Sequence, residues 1–221
     1  MTLTETISPA LLVLAKAPRA GAVKTRLCPP LTPTQAAELA EAALLDTLTA
    51  VLATPGARAV LILDGEAGAW MPAGIDLLPQ RTGDLATRLA DAFADIAGPA
   101  LLIGMDTPQV TPALLTRGLD LLQEPHNDAV LGHTDDGGYW AIGLRRGDRR
   151  VFEGVPMSTE RTGIAQHQRL IDLGLRVGIL PSLRDVDRFE DAQAVCREAP
   201  DTRLAHALAE ISRALRETVA A

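Results

Sequence analysis

The sequence predicts an α/β fold in which helices cover both faces of a mostly parallel, mixed sheet. Two observations predict this class. Apolar segments of strand length alternate with helical patterns along almost the whole chain. The segment 99–106 is also apolar until its last residue, which is typical of a central strand buried on both faces. The 221 residues show no repeat and no linker, so we expect one domain over 1–221.

The first strand and helix flank a loop. The apolar run 10–17 ends in a stretch rich in proline, glycine and basic residues, which favours a buried strand that opens onto a site. Thr32 can cap the following helix, with Pro33 at its first position and Gln35 completing a capping box. Apolar residues then recur at helical spacing, so we expect one face of this helix to pack on the sheet.

The middle of the chain continues the alternation. Strands are predicted at 58–65 and 75–80, and a helix over 84–97 places its apolar residues on one face. The buried strand 99–106 follows. Thr111 and Pro112 then begin a helix that extends to about residue 123.

The last third departs from strict alternation. Two strand candidates, 128–133 and 139–145, are separated only by a short turn segment, which indicates an antiparallel pair within the sheet. A helix over 162–174, a strand over 176–182 and a terminal helix over 202–219 complete the predicted architecture.

Composition limits the classes of partner. The chain has 28 acidic and 21 basic residues and a formal net charge of -7, which argues against a nucleic-acid surface. No apolar stretch approaches the roughly 18 residues of a membrane span, and no signal peptide is recognisable, so we expect a cytoplasmic protein with no membrane partner. The two cysteines match no metal-site spacing. Assembly as a homo-oligomer stays open.

The loop after the first strand concentrates positive charge. Lys16 and Lys24 are the only lysines of the chain, and Arg19 and Arg26 lie beside them, with Gly21 between. Freed backbone amides and several cations suit a phosphate. Neither the Walker pattern nor the dinucleotide fingerprint fits this loop. The alternative is a solvated surface loop.

Carboxylates follow two of the predicted strands. Asp106 ends the most buried strand, where ligands bind in open α/β sheets, and Asp185 and Asp187 follow the last strand. Asp106 and Asp187 form a candidate pair for Mg²⁺ or Mn²⁺, because these ions prefer hard oxygen ligands. The alternatives are structural: Asp106 could cap the turn before Pro108, and Asp187 the helix that follows it.

The segment 133–140, HTDDGGYW, combines a turn signal with a candidate base. Asp136 could accept a proton or bind a sugar hydroxyl, and Gly137 and Gly138 would let the backbone approach a ligand closely. Asp followed by Gly also favours a hairpin turn. A turn and a site are compatible, and we predict both.

Five segments together resemble one family in order and spacing: AKAPRAGAVKTRL, QRTGDLATRLADAF, LLIGMDTPQV, DDGGYWAIGL and DVDRFEDA. It is the bacterial glycosyltransferase A-like (GT-A) family, of the radical-SAM/selenodomain-associated transferase type, within the nucleotide-diphospho-sugar transferase superfamily. The resemblance covers about residues 10–195. It implies a single Rossmann-like α/β/α sandwich, with a nucleotide seated on the first loop and a divalent metal at its phosphates.

The resemblance also implies roles for residues. Cofactor-binding residues would be the basic-loop and cleft residues Lys16, Arg19, Gly21, Lys24, Arg26, Gly83, Asp84, Asp106, Gly137, Gly138 and Tyr139. Asp106 and Asp187 would hold the metal, and Lys24 and Asp136 would be catalytic. Met157 stands where relatives often carry tryptophan, which is a departure on the acceptor side.

The sequence thus favours a metal-dependent glycosyltransferase that moves a sugar from a nucleoside diphosphate sugar to a small acceptor. One alternative is a nucleotidyltransferase that resembles phospholactate guanylyltransferases and releases pyrophosphate from a nucleoside triphosphate. Another is a non-catalytic nucleotide-binding protein. The sequence alone does not separate the three.

Overall fold

The computed structural model describes residues 8–220, with side chains through residue 217. Seven strands are present: β1 (Ala10–Lys16), β2 (Arg58–Asp64), β3 (Asp76–Pro79), β4 (Ala100–Gly104), β5 (Ala129–Thr134), β6 (Tyr139–Leu144) and β7 (Val177–Leu183). The α-helices are α1 (Pro33–Leu52), α2 (Leu85–Ala94), α3 (Pro112–Gln123), α4 (Thr162–Asp172), α5 (Phe189–Glu198) and α6 (Arg203–Ala220). None of these described helices has both the length and the apolar character to cross a bilayer.

The strands form one sheet in the order β3-β2-β1-β4-β6-β5-β7. Every pairing is parallel except the two made by β6, which is antiparallel to both β4 and β5. The predicted α/β sandwich with a mostly parallel, mixed sheet is confirmed, and so is the antiparallel pair. Because the chain fills the β2 and β3 side first and then returns to the other side of β1, the strand order reverses between β1 and β4.

Two apolar cores lie on the two faces of the sheet. On one face, α1 and α3 pack on alternate residues of the strands, such as Leu11 and Val13 of β1. On the other face, α2 and α4 pack on the intervening residues, such as Leu12 of β1. Because successive side chains of a strand point to opposite faces, a strand buried on both sides reads as a continuous apolar run.

A third apolar cluster lies outside the sandwich. Leu39 and Ala43 on the outer face of α1 pack with Val195 of α5 and Leu208 of α6. The sequence predicted that α1 packs by one face, and the structure shows that two opposite faces of α1 are buried. Asp46 fixes the added layer, because its carboxylate accepts hydrogen bonds from the backbone N–H groups at the start of α6.

Local capping signals were read correctly in two helices. Thr32 and Gln35 form the predicted capping box, and Thr111 caps α3. At α5, however, the residue at the N-cap position is Arg188, whose backbone N–H donates to the Asp191 carboxylate. The structural alternative for Asp187, that it caps this helix, is therefore wrong, and its side chain is available for another role.

Candidate functional site

A cleft opens at the carboxyl ends of β1 and β4, where the strand order reverses. This is where ligands bind in open α/β sheets. Two adjoining pockets form the cleft, one of about 990 Å³ and one of about 360 Å³. The residues shared by both pockets are Leu14, Arg26, Leu85, Asp106 and Asp187. Asp106 therefore lies at the boundary between the two halves of the cleft.

The smaller pocket is predominantly basic. Its cationic lining residues are Lys16, Lys24, Arg26 and Arg88. Arg88, on α2, was not singled out from the sequence. Its guanidinium donates to the Gln80 side chain at 2.9 Å, and its Nε is buried with no hydrogen-bond partner among the described residues. The signal was the position of Arg88 one helical turn after Asp84 in the TGDLATRL segment.

Lys24 connects three loops. It has a left-handed backbone, with φ of 49°, and its side chain is only 9% exposed. Its Nζ lies 2.5 Å from Oδ1 of Asp106 and donates to the backbone carbonyl of Val186. The N–H of Val186 donates in turn to the carbonyl of Asp106, at 2.8 Å. Lys24 is therefore held next to the carboxylate that ends the central strand.

Four predicted cofactor-binding residues lie outside the described lining of the two pockets. The Arg19 guanidinium lies over Gly65, and Gly21, with φ of 77°, belongs to a turn closed by a hydrogen bond from Ala22 to Arg19. Asp84 caps α2 by accepting from the N–H of Thr87. Gly83 precedes this cap, with φ of 131°.

The larger pocket is predominantly acidic. Its carboxylate residues are Asp106, Asp135, Asp136, Glu160, Asp185 and Asp187. Three of them are paired with cations: Asp106 with Lys24, Asp135 with Arg184 and Asp187 with Arg26. Asp187 and Arg26 lie 2.8 Å apart at the entrance, where both side chains are partly exposed. The predicted metal pair thus faces one cleft, with a basic partner on each carboxylate.

Asp185 is the least solvated of the unpaired carboxylates. Burial, followed by the negative charges of Asp136 and Asp106, raises the pKa of Asp185 from 3.8 to about 6. Asp185 and Asp187, which follow the last strand, both line the larger pocket. The structure brings Asp185 under the electrostatic influence of Asp106 and Asp136, and this places it in the acidic half of the cleft.

Replacing Asp185 by Asn should stabilise the ligand-free protein. The shift corresponds to about 3 kcal/mol at full weight, and partial solvation reduces the expected gain at pH 7 to about 1 to 2 kcal/mol. Since the folded pKa lies above the unfolded one, the cost of the ionised carboxyl is present above about pH 6 and is relieved as pH falls toward 3.8. Denaturant unfolding of both proteins at pH 4 and pH 7 measures the difference, which should shrink at pH 4. A gap that stays constant with pH would contradict this.

Asp136 is fixed by the turn that contains it. Its Oδ1 accepts hydrogen bonds from the Thr134 hydroxyl at 2.5 Å and from the Gly138 N–H at 2.9 Å. Its other oxygen has no hydrogen-bond partner within the described residues. The turn joins β5 to β6 and lines the larger pocket. The segment therefore forms a turn and also lines the larger pocket.

The glycines of this turn are required by close packing. Gly137 has φ of 90°, and a Cβ there would lie 2.1 Å from the carbonyl oxygen of Glu160. The N–H of Gly163 donates to the carbonyl of Gly137 at 2.8 Å. The turn is therefore fastened to the start of α4, and this packing explains the glycines without any ligand.

Gly137→Ala should destabilise the protein by at least about 3 kcal/mol, because it combines a left-handed backbone with a backbone clash. The matched control is Gly154→Ala. Gly154 has φ of 75° and open space around its position, so this change isolates the conformational cost of about 1 kcal/mol. Urea unfolding of the two variants gives the comparison, and equal losses would show that the contact with Glu160 is not restrictive.

Part of the lining of the larger pocket is apolar, and Leu85, Leu89, Leu102, Tyr139 and Met157 contribute to it. The Tyr139 hydroxyl reaches Gln166 at 3.4 Å, and burial raises its pKa above the usual range. Thr107 also lines this pocket; it is 1% exposed, and its hydroxyl has no partner among the described residues. Thr107 and Glu160 were missed in the sequence, although Thr107 lies within a motif that was singled out.

Comparison with solved structures identifies proteins of the same fold. A protein from Desulfovibrio desulfuricans G20, provisionally named a nucleotide-diphospho-sugar transferase, is 26% identical, with a TM-score of 0.84 over 95% of this chain and 97% of that one. Rv0371c of Mycobacterium tuberculosis H37Rv, solved in complex with manganese, is 23% identical, with a TM-score of 0.54 over 87% and 100%. The 2-C-methyl-D-erythritol 4-phosphate cytidylyltransferase of Thermus thermophilus is 15% identical, with a TM-score of 0.53 over 86% and 98%.

The first of these similarities confirms the predicted superfamily fold, and the other two share that fold. None of the curated protein sequences matches the chain. A family model does match: residues 38–159 fit the model described as an uncharacterized protein conserved in bacteria, DUF2064. This match covers more than half of the sequence and includes β2 to β6 with the turn that joins β5 to β6. The chain therefore belongs to the DUF2064 family and has the fold of the nucleotide-diphospho-sugar transferases.

Proposed function

We propose that this protein is a divalent-metal-dependent glycosyltransferase that moves a sugar from a nucleoside diphosphate sugar to a small acceptor. One observation carries the proposal. A single cleft has a basic half and an acidic half, and the two meet at Asp106, where Lys24 touches the carboxylate. This distribution of charge suits a reaction in which an anionic group leaves on one side of the reacting carbon and a hydroxyl acceptor attacks from the other.

The basic half would hold the nucleotide phosphates. Lys16, Lys24 and Arg26 line it, and Arg88 adds a fourth cation from α2. In the transfer step, the bond between the anomeric carbon and the β-phosphate oxygen breaks, and its electron pair goes to the phosphate. Fixed cations beside that oxygen stabilise the developing charge without reorganisation. Lys24 is the catalytic cation of this proposal, because its Nζ is the one adjacent to Asp106.

The acidic half suits a metal ion. The available donors are carboxylate oxygens, and Thr107 in the same lining has a buried hydroxyl with no partner among the described residues. In the described part of the chain, no group of three or more potential ligands is arranged as a complete site. Mg²⁺ is commonly bound by one or two carboxylates with substrate phosphates completing its shell. Asp106 with Asp185 or Asp187 would hold the ion, which would supply Lewis-acid charge stabilisation.

Asp136 would act as the base. Its position on the acidic side, with one oxygen held by Thr134 and Gly138, fixes its orientation and leaves the other oxygen for the acceptor. The acceptor oxygen forms the new bond to the anomeric carbon, and its proton passes to the Asp136 carboxylate. Gly137 and Gly138 support this position through the packing described above.

A second candidate is nucleotidyl transfer, in which an acceptor attacks the α-phosphate of a nucleoside triphosphate and pyrophosphate leaves. The observation that favours it is the shared fold with a protein named as a cytidylyltransferase. The same basic loop would serve both reactions. The manganese complex of Rv0371c supports metal dependence under either reaction, through fold similarity alone.

A ligand panel and product analysis separate the two reactions. Thermal unfolding is measured with nucleoside diphosphates, triphosphates and nucleotide sugars, each with and without Mn²⁺ or Mg²⁺, because a ligand that binds the native state raises its apparent stability. Metal-dependent stabilisation by one nucleotide sugar, followed by release of a nucleoside diphosphate, is the expected result. Stabilisation by a triphosphate alone, with release of pyrophosphate, would show that the reaction is nucleotidyl transfer and not glycosyl transfer. No stabilisation by any ligand would contradict both.

A further inference from the structure

The charges of the larger pocket limit the class of acceptor. Asp136, Glu160 and Asp185 line it and have no cationic partner within the described residues. The cations nearest to the pocket are already committed, Lys24 to Asp106, Arg26 to Asp187 and Arg184 to Asp135. Arg188 also lines the pocket and has no ion-pair partner among the described residues, but its single positive charge does not balance the three carboxylates. A ligand in this pocket therefore meets an excess of negative charge.

Asp185 lines the same pocket as Asp106 and Asp136, and carboxylates that share one pocket repel one another. A phosphate or carboxylate of a ligand would experience the same repulsion. A divalent ion and Lys24 together would offset Asp106, Asp185 and part of the charge of the donor diphosphate, which would leave Asp136 and Glu160 facing the acceptor.

Other features of the pocket favour hydroxyl groups. The Thr107 hydroxyl is buried in the lining and unpartnered among the described residues, which leaves it a donor and an acceptor to offer. One oxygen of Asp136 is likewise open. Leu89, Leu102 and Met157 also line the pocket and belong to the apolar core on one face of the sheet. A ligand that carries both hydroxyl and C–H groups matches this lining.

We infer that the acceptor is a hydroxyl-bearing molecule without phosphate or carboxylate groups, and that the pocket discriminates against anionic acceptors. The inference rests on the proposed function, because only a transferase has an acceptor. It distinguishes between the two candidate reactions as well, because a phosphorylated or carboxylated acceptor of the phospholactate type would bring its negative charge against Asp136 and Glu160.

The pocket charge can be measured without catalysis. Ser158 lines the pocket, is exposed and makes no described hydrogen bond, so Ser158→Cys introduces a thiol with little disturbance. Its rates of reaction with a cationic and an anionic methanethiosulfonate reagent are compared in metal-free buffer, with mass spectrometry locating the label. Ser182→Cys, at an exposed position outside both pockets, is the matched control.

The cationic reagent should react with Ser158→Cys at least about tenfold faster than the anionic one, after correction by the control ratio. Adding Glu160→Gln should reduce this preference several-fold. Equal rates, or a preference for the anionic reagent, would overturn the inference. The thiol reaction rates need no turnover. The pocket charge can therefore prove wrong while the transferase activity is found, and the transferase activity can prove wrong while the pocket charge is found.

Turnover gives the second test. With the donor found in the ligand panel, acceptors are compared in matched sets: glucose, glucuronate and glucose 6-phosphate, and glycerol, glycerate and glycerol 3-phosphate. In any set from which the protein accepts a substrate, the neutral member should have the highest kcat/KM, by at least about tenfold. A phosphorylated or carboxylated member that exceeds its neutral counterpart would overturn the inference. If no set is used, the thiol measurement decides.

Discussion

Asp106→Ala is expected to lower the transfer rate by at least about 1,000-fold and to abolish metal-dependent nucleotide stabilisation. Asp106 is the only carboxylate in the described chain that both pockets share and that contacts Lys24. Its removal takes away a metal donor and the partner that positions the lysine. Losses of this size are typical when an electrostatic group at the reacting centre is removed.

The stability of this variant should fall by about 1 to 3 kcal/mol. The Asp106 side chain is 47% exposed, but its removal leaves the Lys24 ammonium, whose side chain is only 9% exposed, with the Val186 carbonyl and without a carboxylate partner. Asp120→Ala, which removes one carboxylate from the exposed surface of α3, is the matched control and should retain full activity. Initial rates and thermal unfolding with and without Mn²⁺ are measured for both. Metal-dependent nucleotide binding that survives in Asp106→Ala would remove this residue from the proposed metal site.

Lys24→Ala is expected to reduce kcat/KM by at least about 100-fold. The buried ammonium lies beside Asp106, where the departing phosphate would develop charge, so its loss removes transition-state stabilisation. Asp106 would keep its place on the loop after β4, because the hydrogen bond from Val186 is between backbone atoms. The effect should therefore appear in the rate more than in metal binding.

The control for charge is Arg146→Ala, an exposed cation outside both pockets. It should leave kcat/KM unchanged. Lys24→Arg gives a third comparison, since it preserves the charge but a planar guanidinium cannot replace the compact ammonium at a buried position. Steady-state kinetics of the three variants make the measurement. An unaltered kcat/KM in Lys24→Ala would indicate that the basic loop is a solvated surface loop without a catalytic role.

The sheet was largely predictable because its strands carry strong local signals. Segments such as 99–106 are apolar on both faces, and the capping pairs at Thr32 and Thr111 fix where helices begin. The outer layer was harder to foresee. The pattern of α1 predicts one buried face, and only tertiary contact with α5 and α6 shows that the opposite face is covered as well. Spacing within one helix does not indicate which element will cover it.

The site was predictable as a set of segments and less so as a set of contacts. Lys24, Asp106 and Asp136 all line the cleft, as the strand ends implied. The sequence did not reveal that Arg19 lies over Gly65 or that Asp84 caps a helix, because both have the same residue types as ligand-binding positions. Arg88 was missed because a cation within an amphipathic helix resembles an ordinary surface residue.

The peptide unit of Val186 has a consequence for how the chain could be divided. Its carbonyl accepts from Lys24, and its N–H donates to Asp106, so two residues that are far apart in the sequence are bridged by a third segment near the end of the chain. A fragment that stops before β7 would retain every lysine and the central aspartate. It would nevertheless lack the bridge between them, so we expect complementation by the missing piece, and not the longer fragment alone, to restore the assembled cleft.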